Sequence, residues 1–421
     1  MFKYLSIFLL FISSYRCLAN DFFDIIDSRG DLFTVSPGAF GDSQDSVGFN
    51  WTTQKEDEAR YFYREGQLKI QTLGFDTSEI NIRFKDDAFK NVLIYIYNRS
   101  DCPLIRSKSQ FGIFLKSIDA KISSWSGVKG GSVAKTRAGG ASEFSKNWIY
   151  GPYSIALKWS ASGSGSSYGA NYINLFISRY EKGTKKKTIS AKELIRNIVK
   201  NDNGDVFVDN LPMVDQGPKG YCAVATAARV LRYYGHETDM HRLANLAGTT
   251  DAGTNTTEMF SKMRRLSTIY HTKMIELNKF KVSSFISEVK KYNSLAKKNM
   301  VMRASLDVHS VGDIYMQLDP EVYKQFKSKK MKTNYKRFIS HIKKYINSGV
   351  PVIWGVYLGM YKEPQLNPQA SGAHLRLIIG YNEKTKEIIF SDTWGARHVF
   401  KHLGTAEAWA QTTQYAVLLK K

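Results

Sequence analysis

The segment VDQGPKGYCAVATAARVLRYYG, at 214–235, places a thiol where it can act as a nucleophile. Cys222 directly precedes an alanine-rich run that predicts a helix, and Gly235 is a typical signal for the end of that helix. Unpaired backbone N–H groups and the helix dipole favour the thiolate at a helix N-terminus, and the thiolate is the nucleophilic form of cysteine. Gln216, six residues earlier, is placed to donate its side-chain N–H to a developing oxyanion.

A histidine and an aspartate near the other end of the chain supply the remaining groups of a thiol hydrolase. Within 372–395, the runs HLRLIIGY and EIIFSD are apolar and β-rich and flank a polar turn, so they predict a β-hairpin. His374 opens the first strand and Asp392 closes the second, and antiparallel pairing brings these ends together. The pattern predicts an imidazole base oriented by a carboxylate. Trp394 either covers this pair or is an ordinary aromatic residue of the core, which is the commoner case.

Each of these residues has a structural interpretation when it is taken alone. A cysteine before an alanine-rich helix is commonly a small buried apolar residue, and an aspartate before Thr-Trp-Gly commonly forms a turn. His374 fits a structural histidine, and Gln216 fits an ordinary loop residue. The order Gln, Cys, His, Asp, with a helix after the thiol and a hairpin between base and carboxylate, favours a catalytic site.

The string QGPKGYC resembles the QG…C segment of papain-clan cysteine peptidases. GAHLRLIIGYN followed by SDTWG is similar, more specifically, to the double-glycine leader peptidases that process bacteriocins and to their relatives. The resemblance covers roughly 205–421 and implies Cys222 as nucleophile, His374 as base, Asp392 as its orienting partner and Gln216 in the oxyanion hole. The residues on either side of the cysteine depart from the family pattern, so the resemblance does not extend to a substrate preference.

Three functions are compatible with these residues. The first is a cysteine peptidase that acts on a peptide or protein substrate and requires no cofactor. The second is a cell-wall amidase or acyltransferase, since NlpC-type and CHAP amidases also place Cys before His, although usually in a D-C-S/G context that Gly220-Tyr221-Cys222-Ala223 lacks. The third is an exported binding protein with a catalytically inert hydrolase fold.

The chain is strongly basic, with a formal net charge of +22. The region 271–347 holds 17 Lys/Arg against 6 Asp/Glu. It is either a binding site for an anionic surface, an anionic polymer or an acidic protein, or a solvated lysine-rich face. No nucleic-acid-binding motif accompanies the charge, so no specific nucleic-acid partner is predicted. The histidine pairs 236/241 and 398/402 lack a third ligand, so no metal site is predicted.

The N-terminus, at 1–19, reads as a signal peptide. Lys3 supplies the positive charge, 5–12 the apolar core, and Cys17-Leu18-Ala19 the small-residue cleavage site. We therefore expect a secreted or periplasmic mature protein without a transmembrane segment. Its two remaining cysteines, Cys102 and Cys222, do not make a disulfide framework.

Three further regions follow the signal peptide. Residues 20–181 contain short β-rich runs, among them FGIFLKSI, and predict an all-β domain, sandwich or jelly-roll-like. Residues 182–204 are a linker with a short helix opened by the capping box at 190–193. Residues 205–421 place helices first and antiparallel strands later, which predicts an α+β, papain-like cysteine peptidase domain. The sequence indicates no role for the N-terminal region.

Overall fold

The computed structural model describes residues 21–420 apart from 44–45, 68, 100, 103, 139–140, 183–188, 218, 248–255 and 364–366. The predicted signal peptide at 1–19 therefore lies outside the described residues. The described chain forms two large antiparallel sheets with helices packed on them. None of the helices in this part of the chain combines the length and the apolar character that a membrane crossing requires.

The N-terminal part contains three α-helices and ten strands among its described residues. The helices are α1 Phe22–Arg29, α2 Pro37–Gly41 and α3 Lys108–Ser126. The strands are β1 Phe49–Trp51, β2 Glu58–Phe62, β3 Gln71–Thr72, β4 Phe75–Asp76, β5 Glu79–Lys85, β6 Ala88–Asn98, β7 Ala134–Ala138, β8 Ala141–Tyr150, β9 Tyr153–Ser162 and β10 Gly169–Arg179. Eight of them form one sheet in the order β1-β2-β5-β6-β10-β9-β8-β7, while β3 and β4 pair with each other.

The prediction of an all-β, sandwich or jelly-roll-like N-terminal domain is not confirmed, because helices cover this single sheet. The run FGIFLKSI, predicted as a strand, lies inside α3. Phe111, Ile118 and Ile122 bury one helical face of α3, Ser107 caps its first turn, and Gly127 ends it with φ of 65°. A short apolar run does not distinguish a strand from a buried helix by its periodicity, which is why the sequence pattern misled here.

The C-terminal part begins with helices and ends with strands. Its helices are α4 Ala191–Ile195, α5 Cys222–Tyr233, α6 Met240–Ala247, α7 Thr256–Ile269, α8 Val282–Lys298, α9 Val311–Tyr315, α10 Pro320–Gln325, α11 Lys332–Ile346 and α12 Thr405–Gln411. Its strands are β11 Ile198–Lys200, β12 Asp205–Val208, β13 Thr272–Asn278, β14 Val352–Leu358, β15 Gly372–Asn382, β16 Glu387–Ser391, β17 Lys401–Gly404 and β18 Thr412–Lys420. This mixture of helices and strands agrees with the predicted α+β class.

The C-terminal sheet carries the strands that matter for the site. Its order is β11-β12-β15-β14-β18-β13, and β16 pairs with β15 and β17. The predicted hairpin is present as β15 and β16, and the predicted helix after the thiol is present as α5, which ends two residues before Gly235 at φ of 87°. The domain boundaries at 181 and 205 remain a prediction.

The N-terminal sheet and the C-terminal helices meet through polar side chains. Arg242 at α6 pairs with Glu143 on β8, with 2.6 Å between Nη2 and Oε2. The Tyr95 hydroxyl donates to Asp239 Oδ1 at 2.5 Å. Buried polar groups are stable only with good partners, so these contacts define the relative placement of the two parts more strictly than apolar packing does.

Candidate active site

Helix α5 places Cys222 at its first position and buries the thiol to 5% exposure. Cys222, Thr226 and Arg229 follow each other at spacings of four and three residues, so they share one face of the helix. On that face the Thr226 hydroxyl donates to the carbonyl of Leu375 on β15 at 3.0 Å. The helix that carries the thiol is thereby joined to the strand that carries His374.

Arg229 joins the same helix to the end of β16. Its Nη1 donates to the Asp392 carbonyl and its Nη2 to the Ser391 hydroxyl, both at 2.7 Å. Complete burial lowers the pKa of Arg229 to about 10, against the opposing effect of Asp392. The side chain is still charged at neutral pH, and its bonds set the separation between the start of α5 and the hairpin.

The β15–β16 hairpin brings His374 and Asp392 together. Leu377 pairs with Ser391, so Asp392 continues past the end of β16 toward the first residues of β15. His374 Nε2 and Asp392 Oδ1 are 2.8 Å apart, and both side chains are fully buried. The structure thus forms the imidazole–carboxylate pair that the sequence predicts.

Cys222 is the second partner of His374. Burial alone lowers the pKa of His374, but the hydrogen bond that Nε2 donates to Asp392 and the adjacent Cys222, together with the negative charges of both groups, outweigh it and raise the pKa to about 9. The ring nitrogen facing away from Asp392, Nδ1, forms no hydrogen bond with a described residue, so the thiol lies near the ring without a hydrogen bond to it. A loose contact before substrate arrives is common for a nucleophile and its base.

Asp392 also lies in a buried cluster of charges, which we call the carboxylate cluster: Glu363, Arg376, Asp392 and Lys401. Asp392 Oδ2 accepts from Arg376 Nη1 and Lys401 Nζ, both at 3.2 Å. Glu363 bridges the same two cations, at 2.8 Å from Arg376 and 2.6 Å from Lys401. Burial alone raises the pKa of Asp392, but Arg376 and His374 outweigh it and hold the pKa below its ordinary value.

The two cations of the carboxylate cluster, Arg376 and Lys401, also have partners other than the two carboxylates. Lys401 Nζ donates to Glu363, to Asp392 and, at 2.8 Å, to Asn367, which uses all three of its hydrogens. The Arg376 guanidinium lies 4.5 Å from the ring centre of Trp354 and 4.2 Å from that of Phe390. Aromatic faces attract a guanidinium, which accounts for its N–H groups that lack a hydrogen-bond partner among the described residues.

Sequence reasoning missed the carboxylate cluster, although one of its members carried a signal. Arg376 is two residues after His374, so the two side chains lie on the same face of β15. Continuing the register past the Leu377–Ser391 pair places Arg376 opposite Asp392. An arginine inside an otherwise apolar buried strand requires a buried acceptor, and Asp392 was the nearest acceptor in the hairpin.

Gln216 lies against Thr393, the residue after Asp392. Its backbone N–H donates to the Thr393 carbonyl at 2.8 Å, and its Oε1 accepts from the Thr393 hydroxyl at 2.6 Å. Its Nε2 donates one hydrogen to the carbonyl of Lys219 at 2.9 Å. A side-chain amide has two donor hydrogens, so one remains for another acceptor.

Trp394 covers the histidine of this site. Its ring stacks on His374, with 4.2 Å between ring centres and 7° between ring planes. Trp394 itself is half-buried. The indole therefore separates the fully buried histidine from solvent on that side.

One group of possible metal ligands lies outside this site. Glu79, Asp101 and His241 each offer an atom, and these atoms lie within 4.8 Å of one another. Glu79 already pairs with Arg60, and Asp101 pairs with Lys219. Two cations thus occupy the positions around the carboxylates that a metal ion would need.

A family model for the Peptidase_C39 like family matches residues 291–417. The matched residues include His374 and Asp392 and begin after Cys222. This match confirms the resemblance to C39-like cysteine peptidases of the papain clan, at distant homology, and the family suggests a cysteine peptidase with a peptide substrate.

Several solved structures match the chain, among them the peptidase domain of Streptococcus ComA, a bi-functional ABC transporter involved in a quorum sensing pathway. The match has 10% sequence identity and a TM-score of 0.26, and it covers 50% of this chain and 100% of that one. A likeness this low does not establish the fold. No curated protein matches the chain significantly.

Proposed function

We propose that the chain is a secreted cysteine peptidase that hydrolyses peptide bonds through the triad Cys222, His374 and Asp392. The observation that carries the proposal is the buried His374, which is hydrogen-bonded to Asp392 and close enough to Cys222, at the start of α5, to interact with its charge. This is the arrangement of nucleophile, base and orienting group that thiol hydrolysis needs. Secretion rests on the signal peptide predicted at 1–19.

The first half of the proposed reaction forms a thioester. The Cys222 thiolate attacks the carbonyl carbon of the peptide, and a bond forms between Sγ and that carbon. The oxyanion accepts hydrogen bonds from the remaining Nε2 hydrogen of Gln216 and from the backbone N–H of Cys222, at the start of α5 where N–H groups have no intrahelical partner. The His374 imidazolium gives its proton to the leaving amine as the C–N bond breaks.

The second half releases the acyl group. Neutral His374 takes a proton from water, and the water oxygen attacks the thioester carbon. The bond between Sγ and carbon breaks, and the product leaves as a carboxylic acid that gives its proton to the solvent. The thiolate and imidazolium are thereby restored. Asp392 keeps the imidazole in one orientation and stabilises its charged form throughout. Every group in these steps belongs to the protein, the substrate or water.

The direct test is cleavage of a peptide library by the full chain, combined with labelling by an epoxysuccinyl thiol probe. We expect new peptide termini and a label on Cys222. Cys102, also outside any disulfide, is an internal control because burial raises the pKa of its thiol and disfavours its thiolate. Release of soluble peptidoglycan fragments without peptide cleavage would support the amidase or acyltransferase instead. No label on Cys222 would support the inert binding protein.

The raised pKa of His374 predicts how the activity depends on pH. His374 must be protonated to pair with the thiolate and to supply a proton to the leaving amine, and it stays protonated up to about pH 9. We therefore expect kcat/KM to decline as the pH rises through about 9, not through 6.5, the ordinary value for histidine. The profile of kcat/KM against pH measures this, and an alkaline limb near 6.5 would contradict the proposed pairing.

Thr393 should control the orientation of the Gln216 amide. In Thr393→Val, the bond between the hydroxyl and Gln216 Oε1 is lost, and the amide can turn its oxygen toward the oxyanion. A single neutral hydrogen bond contributes about 1 kcal/mol, so we expect kcat to fall by about fivefold. Thr413→Val is the matched control, since the buried Thr413 hydroxyl has no hydrogen-bond partner among the described residues. Equal kcat values in the two variants would show that Thr393 does not orient Gln216.

The lysine-rich region 271–347 supports a second proposal, that the peptidase binds an anionic surface or polymer. Fourteen of its seventeen basic side chains are exposed, among them Lys290, Lys291 and Lys336. Such binding is electrostatic and weakens as the ionic strength rises. Retention of Cys222→Ala on a polyanion at 0.15 M salt would support this partner, and absence of retention would leave a solvated lysine-rich face.

A further inference from the structure

We propose that the N-terminal sheet positions part of the active site, because Arg60 and Asp101 hold the loop that carries Gln216. We call the described residues of this loop, 215–217 and 219–221, the oxyanion loop. The inference rests on the proposed function and assigns a role to the region for which the sequence indicates none. Arg60 and Asp101 are positioning residues, since they act on the substrate only through the loop.

Arg60, on β2, holds the first residue of the oxyanion loop. Its Nη1 donates to the carbonyl of Asp215 at 2.8 Å, and its Nε donates to Glu79 on β5 at 3.0 Å. Arg60 is 7% exposed and Glu79 is 1% exposed. A buried guanidinium that is paired inside its own sheet is a rigid donor, so the Asp215 peptide is held in one place. The next residue along the chain is Gln216.

Asp101, just after β6, holds the other end of the oxyanion loop. Its carboxylate forms an ion pair with Lys219, and the two side chains are 11% and 7% exposed. The Lys219 ammonium also lies 5.2 Å from the ring centre of Phe62 and 5.3 Å from that of Tyr221. A buried ammonium needs its counterion, so the position of Lys219 depends on Asp101.

Asp101 is fixed by a hydrogen-bond network of its own. Asn98 Nδ2 donates to Asp101 Oδ2 at 3.1 Å and to His241 Nδ1 at 2.6 Å. His241 Nε2 then donates to Glu79 Oε2 at 2.7 Å, and its ring contacts that of Tyr221. The network links β5, β6 and α6 behind the loop, so the loop rests on both parts of the chain.

These contacts reach the proposed oxyanion hole through a short path. Asp101 holds the Lys219 side chain, and the Lys219 carbonyl accepts from Gln216 Nε2. If Lys219 leaves its buried place, its carbonyl moves, and the Gln216 amide loses one of the two bonds that orient it. Donors aimed at an oxyanion lose effect with small displacements, so a change in the N-terminal sheet should reach the reaction.

The test compares Asp101→Asn with Asp119→Asn in the full chain. Asp119 on α3 also pairs with a lysine, Lys146, inside the N-terminal part, but it has no contact with the oxyanion loop. We expect Asp101→Asn to lower kcat by about 10- to 100-fold and Asp119→Asn to leave it unchanged. The rate of Cys222 alkylation by iodoacetamide should stay within about twofold in both, since alkylation forms no oxyanion. A parallel loss of kcat, alkylation and melting temperature would indicate general unfolding and overturn the proposal.

A second variant separates the position of the loop from the loss of a charge. Lys219→Met in the Asp101→Asn background removes the unpaired buried ammonium, so we expect most of the lost kcat to return. Hydrogen exchange provides a readout that does not need activity. Amides of 215–217 and 219–221 should exchange faster in Asp101→Asn than in the wild type or in Asp119→Asn. Unchanged exchange overturns this inference even in an active enzyme, whereas faster exchange in a chain that cleaves no peptide would retain the inference and reject the peptidase.

Discussion

Replacing Cys222 with alanine should abolish peptide hydrolysis and labelling by the epoxysuccinyl probe while leaving the fold intact. Removal of the nucleophile from a triad lowers kcat by roughly 10⁴- to 10⁶-fold, because the remaining groups no longer form a covalent intermediate. The fold should persist, since alanine is small and apolar and has the highest helix propensity at the first turn of α5. Thermal unfolding and circular dichroism check the fold, and turnover of a cleaved library peptide checks the activity.

The matched control for this variant is Cys102→Ala. Cys102 is the second cysteine of the described chain, is half-buried and packs against the core of the N-terminal part. We expect this variant to retain wild-type kcat and to be labelled on Cys222. Hydrolysis that persists at the wild-type rate in Cys222→Ala would reject the peptidase proposal, since no other described thiol lies beside His374.

Asp392→Ala should combine the loss of activity with a loss of stability. The variant removes the group that orients His374, for which we expect a decrease in kcat of about 10⁴-fold. It also leaves Arg376 and Lys401 buried with Glu363 as their remaining carboxylate partner. Removing one member of a buried ion pair lowers the free energy of unfolding by about 3–5 kcal/mol, so the melting temperature should fall clearly.

Two further variants make this prediction specific. Asp392→Asn keeps the shape of the side chain and should lose a similar factor in kcat, because an amide presents the wrong partner to the imidazole. Asp205→Asn is the control: Asp205 on β12 is buried to 6% exposure and is hydrogen-bonded to Asn201 and Asn382, far from the imidazole in the chain. Unchanged kcat in Asp392→Asn, or an equal loss in Asp205→Asn, would contradict the orienting role.

The positions of the proposed catalytic residues were predictable to the extent that their elements are local. The alanine-rich run and Gly235 predict α5 from one short segment. A five-residue turn separates the runs that form β15 and β16, and so short a connection favours their pairing as a hairpin. Burial of His374 and its contact with the thiol follow from how α5 packs on β15. That packing depends on Thr226 and Arg229, whose partners lie well over a hundred positions away in the chain.

The remaining features depend on contacts that no local pattern contains. Glu363 and Lys401 meet Arg376 only because β15, β16 and β17 are assembled. The all-β prediction for the N-terminal region was not confirmed for a different reason: the apolar pattern of α3 is equally compatible with a strand. The ion pair between Asp101 and Lys219 joins positions 118 residues apart. No sequence signal predicted it, because a single aspartate next to a cysteine is an ordinary loop feature.

The carboxylate cluster has a consequence for how a chain with the proposed activity can lose it in evolution. His374 is hydrogen-bonded to Asp392, and Asp392 is paired with the buried cations of the cluster. A substitution at Asp392 or at its partners therefore destabilises the fold, whatever its effect on catalysis. Cys222 belongs to no such cluster and can be exchanged for another small residue at little structural risk. A descendant without activity would therefore keep its histidine and aspartate as inherited scaffold. In related chains, the residue at the position of Cys222, rather than the histidine and the aspartate, would distinguish active enzymes from inactive homologues.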